Sequence, residues 1–256
     1  MNAPSFDPRT HQPAPAELAG RVIAITGASS GIGRAVALAC ARHGATIILI
    51  GRSERRLSEA YAQLEAGGRT DSTLVQLDLE NALAGDYDAL GNAIRERFGR
   101  LDGLLHSAGF LGRLAPVEHY DVPTWCRVLQ VNLTAAFALT QVLLPLLKQS
   151  ADASVVFTSS SVGRTGRANW GAYSVSKAGI ENLVQVLAAE LSGITRVRVN
   201  AINPGPARTQ MRRQAYPAED IETLPLPESL TTAYLALLGP AGRGVTGGSF
   251  DAQAAR

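Results

Sequence analysis

From Arg21 onward the chain alternates short, β-branched apolar runs with longer segments in which apolar residues recur every three or four positions. Val22-Ile23-Ala24-Ile25, Thr46 to Ile50, Thr73 to Leu77, Leu101 to His106, Val155 to Ser159 and Arg196 to Ile202 have the length and residue types of buried strands. Helical periodicity covers Arg34 to His43, with Gly44 closing it, Ser53 to Glu65, a segment ending at Phe98-Gly99, Pro123 to Lys148, Tyr173 to Leu191 and Ser229 to Leu238. In the Tyr173 helix, Ile180, Leu183, Val184, Leu187 and Leu191 form one buried stripe. Such alternation predicts right-handed crossovers, and so an α/β doubly wound, mostly parallel sheet with helices on both faces. Ligands of such sheets bind beyond the carboxyl ends of the strands.

Nothing in composition divides the chain. At 256 residues and 46% apolar it is one large domain over residues 18–256, preceded by a Pro-rich segment, 1–17, that reads as a flexible arm. That segment has no apolar core, so it is neither a signal peptide nor an anchor, and runs such as Val142 to Leu147 are too short to span a bilayer. A cytoplasmic protein with no membrane partner is expected. The net charge of +2 comes from bases scattered along the chain, with neither a basic stripe nor an aromatic stacking face, which argues against nucleic acid. Cys40 and Cys126 are read as reduced core thiols, and with the four histidines they show no metal-ligand spacing, so no metal is expected.

Two positions carry chemistry. Tyr173 and Lys177 are four apart, so a helix stacks them one turn apart on one face, where an ammonium lowers the pKa of a phenol and makes an acid–base pair. Of the 24 basic residues only Lys148 and Lys177 are lysines, so a compact ammonium at 177 stands out against the arginines used elsewhere. The Thr26 to Gly33 loop, between the first strand and its helix, offers bare backbone N–H groups to a pyrophosphate, with Gly27 for the turn and Gly31 and Gly33 for close approach. At the end of the second strand stand Gly51, Arg52 and Ser53, with no carboxylate to repel a 2′-phosphate and a guanidinium to grip one, which favours NADP(H) over NAD(H).

The spacing Thr-Gly-x-x-x-Gly-x-Gly, together with Tyr-x-x-x-Lys, resembles the short-chain dehydrogenase/reductase family from about Leu18 to Asp251. That resemblance implies a Rossmann-type fold and reversible hydride transfer between a nicotinamide and the carbonyl or alcohol carbon of a small molecule. It implies the catalytic set Asn132, Ser160, Tyr173 and Lys177, Ser160 being chosen over Ser159 and Ser161 because it lies 13 residues before Tyr173. The implied cofactor contacts are Gly27, Ser29, Ser30, Gly31, Ile32, Gly33, Arg52, Asp78, Leu79, Ser107, Ala108, Gly109, Tyr173, Lys177, Pro204, Gly205 and Thr209. His106-Ser107 stands where the family has Asn-Asn, and the tail departs from the family's Val-Asp-Gly-Gly ending.

Phe157 to Arg164, Gly166 to Tyr173 and Ser249 to Gln253 look most like a bacterial YciK-like oxidoreductase subgroup, which leaves the substrate open. Arg164, Arg167 and Trp170, with Met211, Arg212, Arg213 and Tyr216 on a rim between Pro206 and Pro227, keep a 3-oxoacyl thioester reductase as the runner-up. A non-catalytic nucleotide-binding regulator is the rival of another class. The surplus of apolar positions on the two long helices, with the family's habit of pairing them, points to a homodimer or homotetramer.

Overall fold

The computed structural model describes residues 6–68 and 71–254. Its sheet is parallel and seven-stranded, in the order β3-β2-β1-β4-β5-β6-β7, formed by β1 (Val22–Thr26), β2 (Thr46–Gly51), β3 (Thr73–Gln76), β4 (Gly103–His106), β5 (Ala153–Thr158), β6 (Val197–Asn203) and β7 (Ser249–Asp251). The order reverses between β1 and β4, and each crossover carries helix. β1 is buried at every position and β5 at all but its last, as strands covered on both faces must be.

The helices are α1 (Gly31–Arg42), α2 (Glu54–Ala66), α3 (Ala84–Phe98), α4 (Val122–Leu129), α5 (Ala135–Leu147), α6 (Ser161–Arg164), α7 (Gly171–Leu191), α8 (Gln210–Ala215) and α9 (Thr231–Leu238). Leu90, Ile94, Leu139, Leu143, Ile180 and Val184 of α3, α5 and α7 pack on Ala24, Leu104, Val155 and Phe157. Val36, Cys40, Leu57 and Tyr234 of α1, α2 and α9 pack on Ile23, Ile25, Leu49 and Val156 from the other side. The doubly wound arrangement is therefore the one that the periodicity predicts.

Four expectations change. First, the Pro123 to Lys148 helix is interrupted. A π turn over Gln130–Thr134 joins α4 to α5, and Asn132 lies in it. Second, the combined helix Val122–Leu147 is long and apolar enough, by length and composition, to cross a membrane, contrary to the reading of short runs. Its Leu139, Leu143, Leu146 and Leu147 are instead buried against the sheet. Third, Cys126 is exposed, because Val128 is the buried position of α4; Cys40 is buried as expected. Fourth, the tail contains a strand, β7, too short and too flanked by glycine to show a pattern of its own.

Of the segment read as an arm, residues 6–17 lie against the body. Phe6 meets the Phe250 ring edge-on at 5.5 Å, and His43 Nδ1 is 2.9 Å from the carbonyl of Ala14. Residues 1–5 lie outside the described residues.

Candidate active site

Because every strand is parallel, the segments that follow β1, β2, β3, β4, β5 and β6 all emerge at one edge of the sheet. Those segments carry, in turn, the glycine loop, Arg52, Asp78, Ser107 to Gly109, Ser160 and Pro204 to Thr209. The topology thus gathers residues up to about 180 positions apart into one cleft.

The glycine loop is held by contacts that exclude side chains. Gly27 has φ +68°, and a Cβ there would stand 2.8 Å from Ala108 Cα. A Cβ on Gly33 would stand 2.5 Å from the Gly27 carbonyl oxygen. Thr26 Oγ1 accepts from the N–H groups of both Ser107 and Ala108 at 3.1 Å, which fixes the loop after β4 against the glycine loop. Ser30 is the N-cap of α1 but its side chain caps nothing, so the first-turn N–H groups keep no side-chain acceptor there. A loop with glycine at 27, 31 and 33 that ends on a helix N-terminus fits a pyrophosphate.

Around it, Arg52 is exposed just past β2, and Leu79 is buried past β3. Asp78 is exposed and accepts from Glu80 N at 3.1 Å and from Asn81 Nδ2 at 2.7 Å. Across the cleft, a Cβ on Gly31 would lie 3.5 Å from Thr209 Cγ2, so the first and last loops meet. Thr209 also caps α8, accepting from Arg212 N at 3.2 Å, and Gln253 Nε2 donates to the carbonyls of Pro204 (2.6 Å) and Pro206 (2.8 Å). The loops that carry these groups therefore emerge together at one edge of the sheet.

Tyr173 is 8% exposed, and the Ser160 hydroxyl lies near enough to act on its phenol. Burial pushes the phenol up to about 12, and the neighbouring Ser160 hydroxyl acts against that rise. Of the three serines, Ser160 is the one beside Tyr173: Ser159 is buried and turned to Glu181, while Ser161 opens α6 on the exposed side.

Lys177 follows one turn on, 4% exposed, its Nζ 5.7 Å from the Tyr173 ring centroid and 2.7 Å from the Thr158 carbonyl oxygen that accepts its proton. Burial lowers its pKa to about 8, against the opposing pull of Glu181. The expectation that the ammonium lowers the phenol's pKa is therefore corrected for the protein alone: Lys177 is directed at Thr158 and desolvation dominates Tyr173.

Asn132 does not reach Lys177 with its side chain. Its Oδ1 accepts from Phe110 N at 2.7 Å, and its Nδ2 donates to Phe110 O and Ser176 Oγ, both at 3.0 Å. The π turn thus sews α5 to the loop after β4 and to α7, which suits the placement of π turns at functional sites. Beside it lies a space of about 10 Å³, the size at which one water first fits, lined by Thr26, His106, Asn132, Thr158 and Lys177 among others.

His106, which replaces the family's asparagine, stacks on Phe157 at 4.6 Å and pairs through Nε2 with Thr140 Oγ1 at 2.9 Å. Thr140 donates its own proton to the Ala136 carbonyl, so the His106 nitrogen is the donor. Burial first, and the Lys177 charge second, hold His106 down to about 3, so it is neutral at ordinary pH.

Several contributors escaped the sequence reading. Thr26 was legible only as part of a signature, Gln253 had no local signal, and Glu181 had one, its ion-pair spacing of four from Lys177.

The match to known proteins follows the same residues. The short chain dehydrogenase family model covers residues 21–220, and the chain belongs to that family, oxidoreductases that work with a nicotinamide cofactor. It is 47% identical to the oxidoreductase YciK of Escherichia coli K12 over 96% of this chain and 97% of that one. A short chain dehydrogenase structure from Pseudomonas syringae superposes with a TM-score of 0.94 at 50% identity, covering 97% of this chain and 99% of that one. One from Escherichia coli CFT073, in complex with NADPH, superposes with a TM-score of 0.92 at 47% identity, covering 94% and 100%.

Proposed function

We propose that the chain is an NADP(H)-preferring enzyme that transfers hydride reversibly between the nicotinamide and a small carbonyl or alcohol, with Asn132, Ser160, Tyr173 and Lys177 as its working residues. The observation that carries the reading is the placement of Ser160 beside the buried Tyr173, with Lys177 one turn further on and sharing a lined space with Thr26 of the glycine loop and Asn132.

The cofactor would be held by the Thr26 to Gly33 loop, by Arg52 at the ribose 2′-phosphate, by Asp78 and Leu79 beside the adenine, by Ser107 to Gly109, and by Pro204, Gly205 and Thr209 at the nicotinamide end. It supplies the hydride. Tyr173 gives a proton to the substrate oxygen in reduction and takes it back in oxidation, and Ser160 donates to the same oxygen and orients it. Lys177, held on the Thr158 carbonyl, would meet the nicotinamide ribose, and Asn132 lines the water-sized space beside Lys177 that would pass a proton.

Support for NADP(H) is the exposed Arg52 at a strand end with no carboxylate, together with the NADPH held by the related Escherichia coli structure. Two of the arginines that suggested an acyl-carrier substrate are paired with carboxylates within the chain: Arg164 with Asp251, and Arg212 with Glu219 at 2.5 Å from two nitrogens. The substrate is accordingly assigned only as a carbonyl or alcohol. A regulator without chemistry would have no use for a serine beside a buried tyrosine–lysine pair.

Phe137, Val175 and Val186 expose apolar surface on α5 and α7, which supports a homodimer or homotetramer formed through these helices, in the cytoplasm. Titration of the purified protein with NADPH and NADH, followed by nicotinamide fluorescence, tests the reading. At least tenfold tighter NADPH binding is expected, and binding of neither cofactor would overturn it.

A further inference from the structure

The end of β5 is tied to α7 twice in succession. Lys177 Nζ donates to the carbonyl of Thr158 at 2.7 Å, and Ser159 Oγ donates to Glu181 Oε1 at 2.5 Å. Lys177 and Glu181 are one helical turn apart, so two adjacent residues of the strand end meet two adjacent turns of the helix. The next residue of the strand end is Ser160. The two links therefore set its height against Tyr173, which lies on the same helix one turn before Lys177.

The pair also sits in a charge cluster that runs out to the tail. Glu181 has a side chain 13% exposed, with the Arg164 guanidinium 3.6 Å away. Arg164 is itself committed to the tail, with Nη1 at 2.9 and 3.0 Å from the Asp251 carboxylate, Nη2 at 2.7 Å from Phe250 O and Nε at 2.9 Å from Ser249 Oγ. Two cations, Lys177 and Arg164, are thus balanced by two carboxylates, Glu181 and Asp251.

The groups facing Lys177 from other elements supply no negative charge. His106 on β4 is neutral, and the Tyr234 phenol on α9, 3.4 Å from Thr158 Oγ1, is kept protonated by burial, as Tyr173 is on α7 itself. A buried ammonium needs such compensation, and the carboxylate that acts on Lys177 is Glu181.

We propose that Glu181 is a positioning residue of this site: held by Ser159 and Arg164, its carboxylate keeps the Lys177 ammonium charged and holds the Ser160 strand end in register with α7. The consequence for turnover rests on the hydride-transfer reading; the electrostatic link does not, and it is measured without substrate.

Because the chain has only two lysines, lysine-selective isotope labelling gives two side-chain signals, and a Lys148→Arg variant assigns them. In the NMR titration of full-length protein, Lys177 is expected to titrate near 8. Glu181→Gln, which keeps an oxygen for Ser159 but loses the charge, should lower the Lys177 pKa by about 0.5 unit or more while leaving Lys148 in place. Arg164→Gln, which removes the opposing cation, should raise it, and serves if the first variant does not fold. A Lys177 pKa that moves by less than about 0.2 unit in whichever variants fold overturns the proposal, as does an equal shift at both lysines.

Discussion

Gly27 lies against Ala108 so closely that the two backbones leave no room for a side chain: a Cβ on Gly27 would stand 2.8 Å from both Ala108 Cα and Ala108 N. With its positive φ of 68°, Gly27 lets the first and fourth strands deliver their loops side by side. Gly27→Ala should cost at least about 2 kcal/mol, from left-handed strain and overpacking together. For a chain of this size that is a fall in Tm of roughly 4–8 °C, read by calorimetry, with NADPH affinity reduced in parallel.

Tyr173 is buried beside Ser160, and the loops proposed to hold the nucleotide are built mainly from other residues. Tyr173→Phe should therefore keep NADPH binding within a few-fold while lowering turnover by roughly 10²–10⁴. Fluorescence titration and single-turnover rates separate the two. Unchanged turnover would remove Tyr173 from the acid–base role.

Arg52 is exposed, and its side chain is free to meet a phosphate. Arg52→Ala should weaken NADPH binding by about 1.5–3 kcal/mol, a ten- to hundredfold loss, and leave NADH binding almost unchanged. The melting temperature should stay at the wild-type value. An equal loss for both cofactors would place the 2′-phosphate elsewhere.

His106 carries a pH dependence of stability. Its pKa falls from 6.5 in the unfolded chain to about 3 in the folded one. Below pH 6.5 the unfolded state binds a proton that the native state refuses, so stability present at neutral pH is lost as the pH falls toward 3. Between pH 7 and pH 5 the loss is about 2 kcal/mol for this one group. Urea unfolding at the two pH values should show that difference shrink by a similar amount in His106→Gln; an unchanged difference would mean that His106 is not buried neutral.

The parallel sheet was legible because its strands are covered on both faces and hence apolar throughout, and because helices of regular period separate them. The glycine loop and the Tyr-x-x-x-Lys spacing were legible because local geometry, a turn and a helical repeat, sets their chemistry. The π turn at Asn132 was not legible, since one extra residue in a helical turn leaves the apolar pattern of α4 and α5 almost intact. The short strand β7 was hidden for the opposite reason: three residues carry too little pattern.

What the sequence alone determined was the order of strands and helices and the residue types available to the chemistry, because both depend on neighbours within a few positions. What the tertiary structure alone decided was which of those residues meet. Ser159 finds Glu181, Lys177 finds Thr158, Arg164 finds Asp251 and Thr26 finds two N–H groups beyond β4. The protonation of Tyr173, Lys177 and His106 belongs to that second level as well. It depends on burial and on charges brought together by the crossovers, and no spacing along the chain reports either.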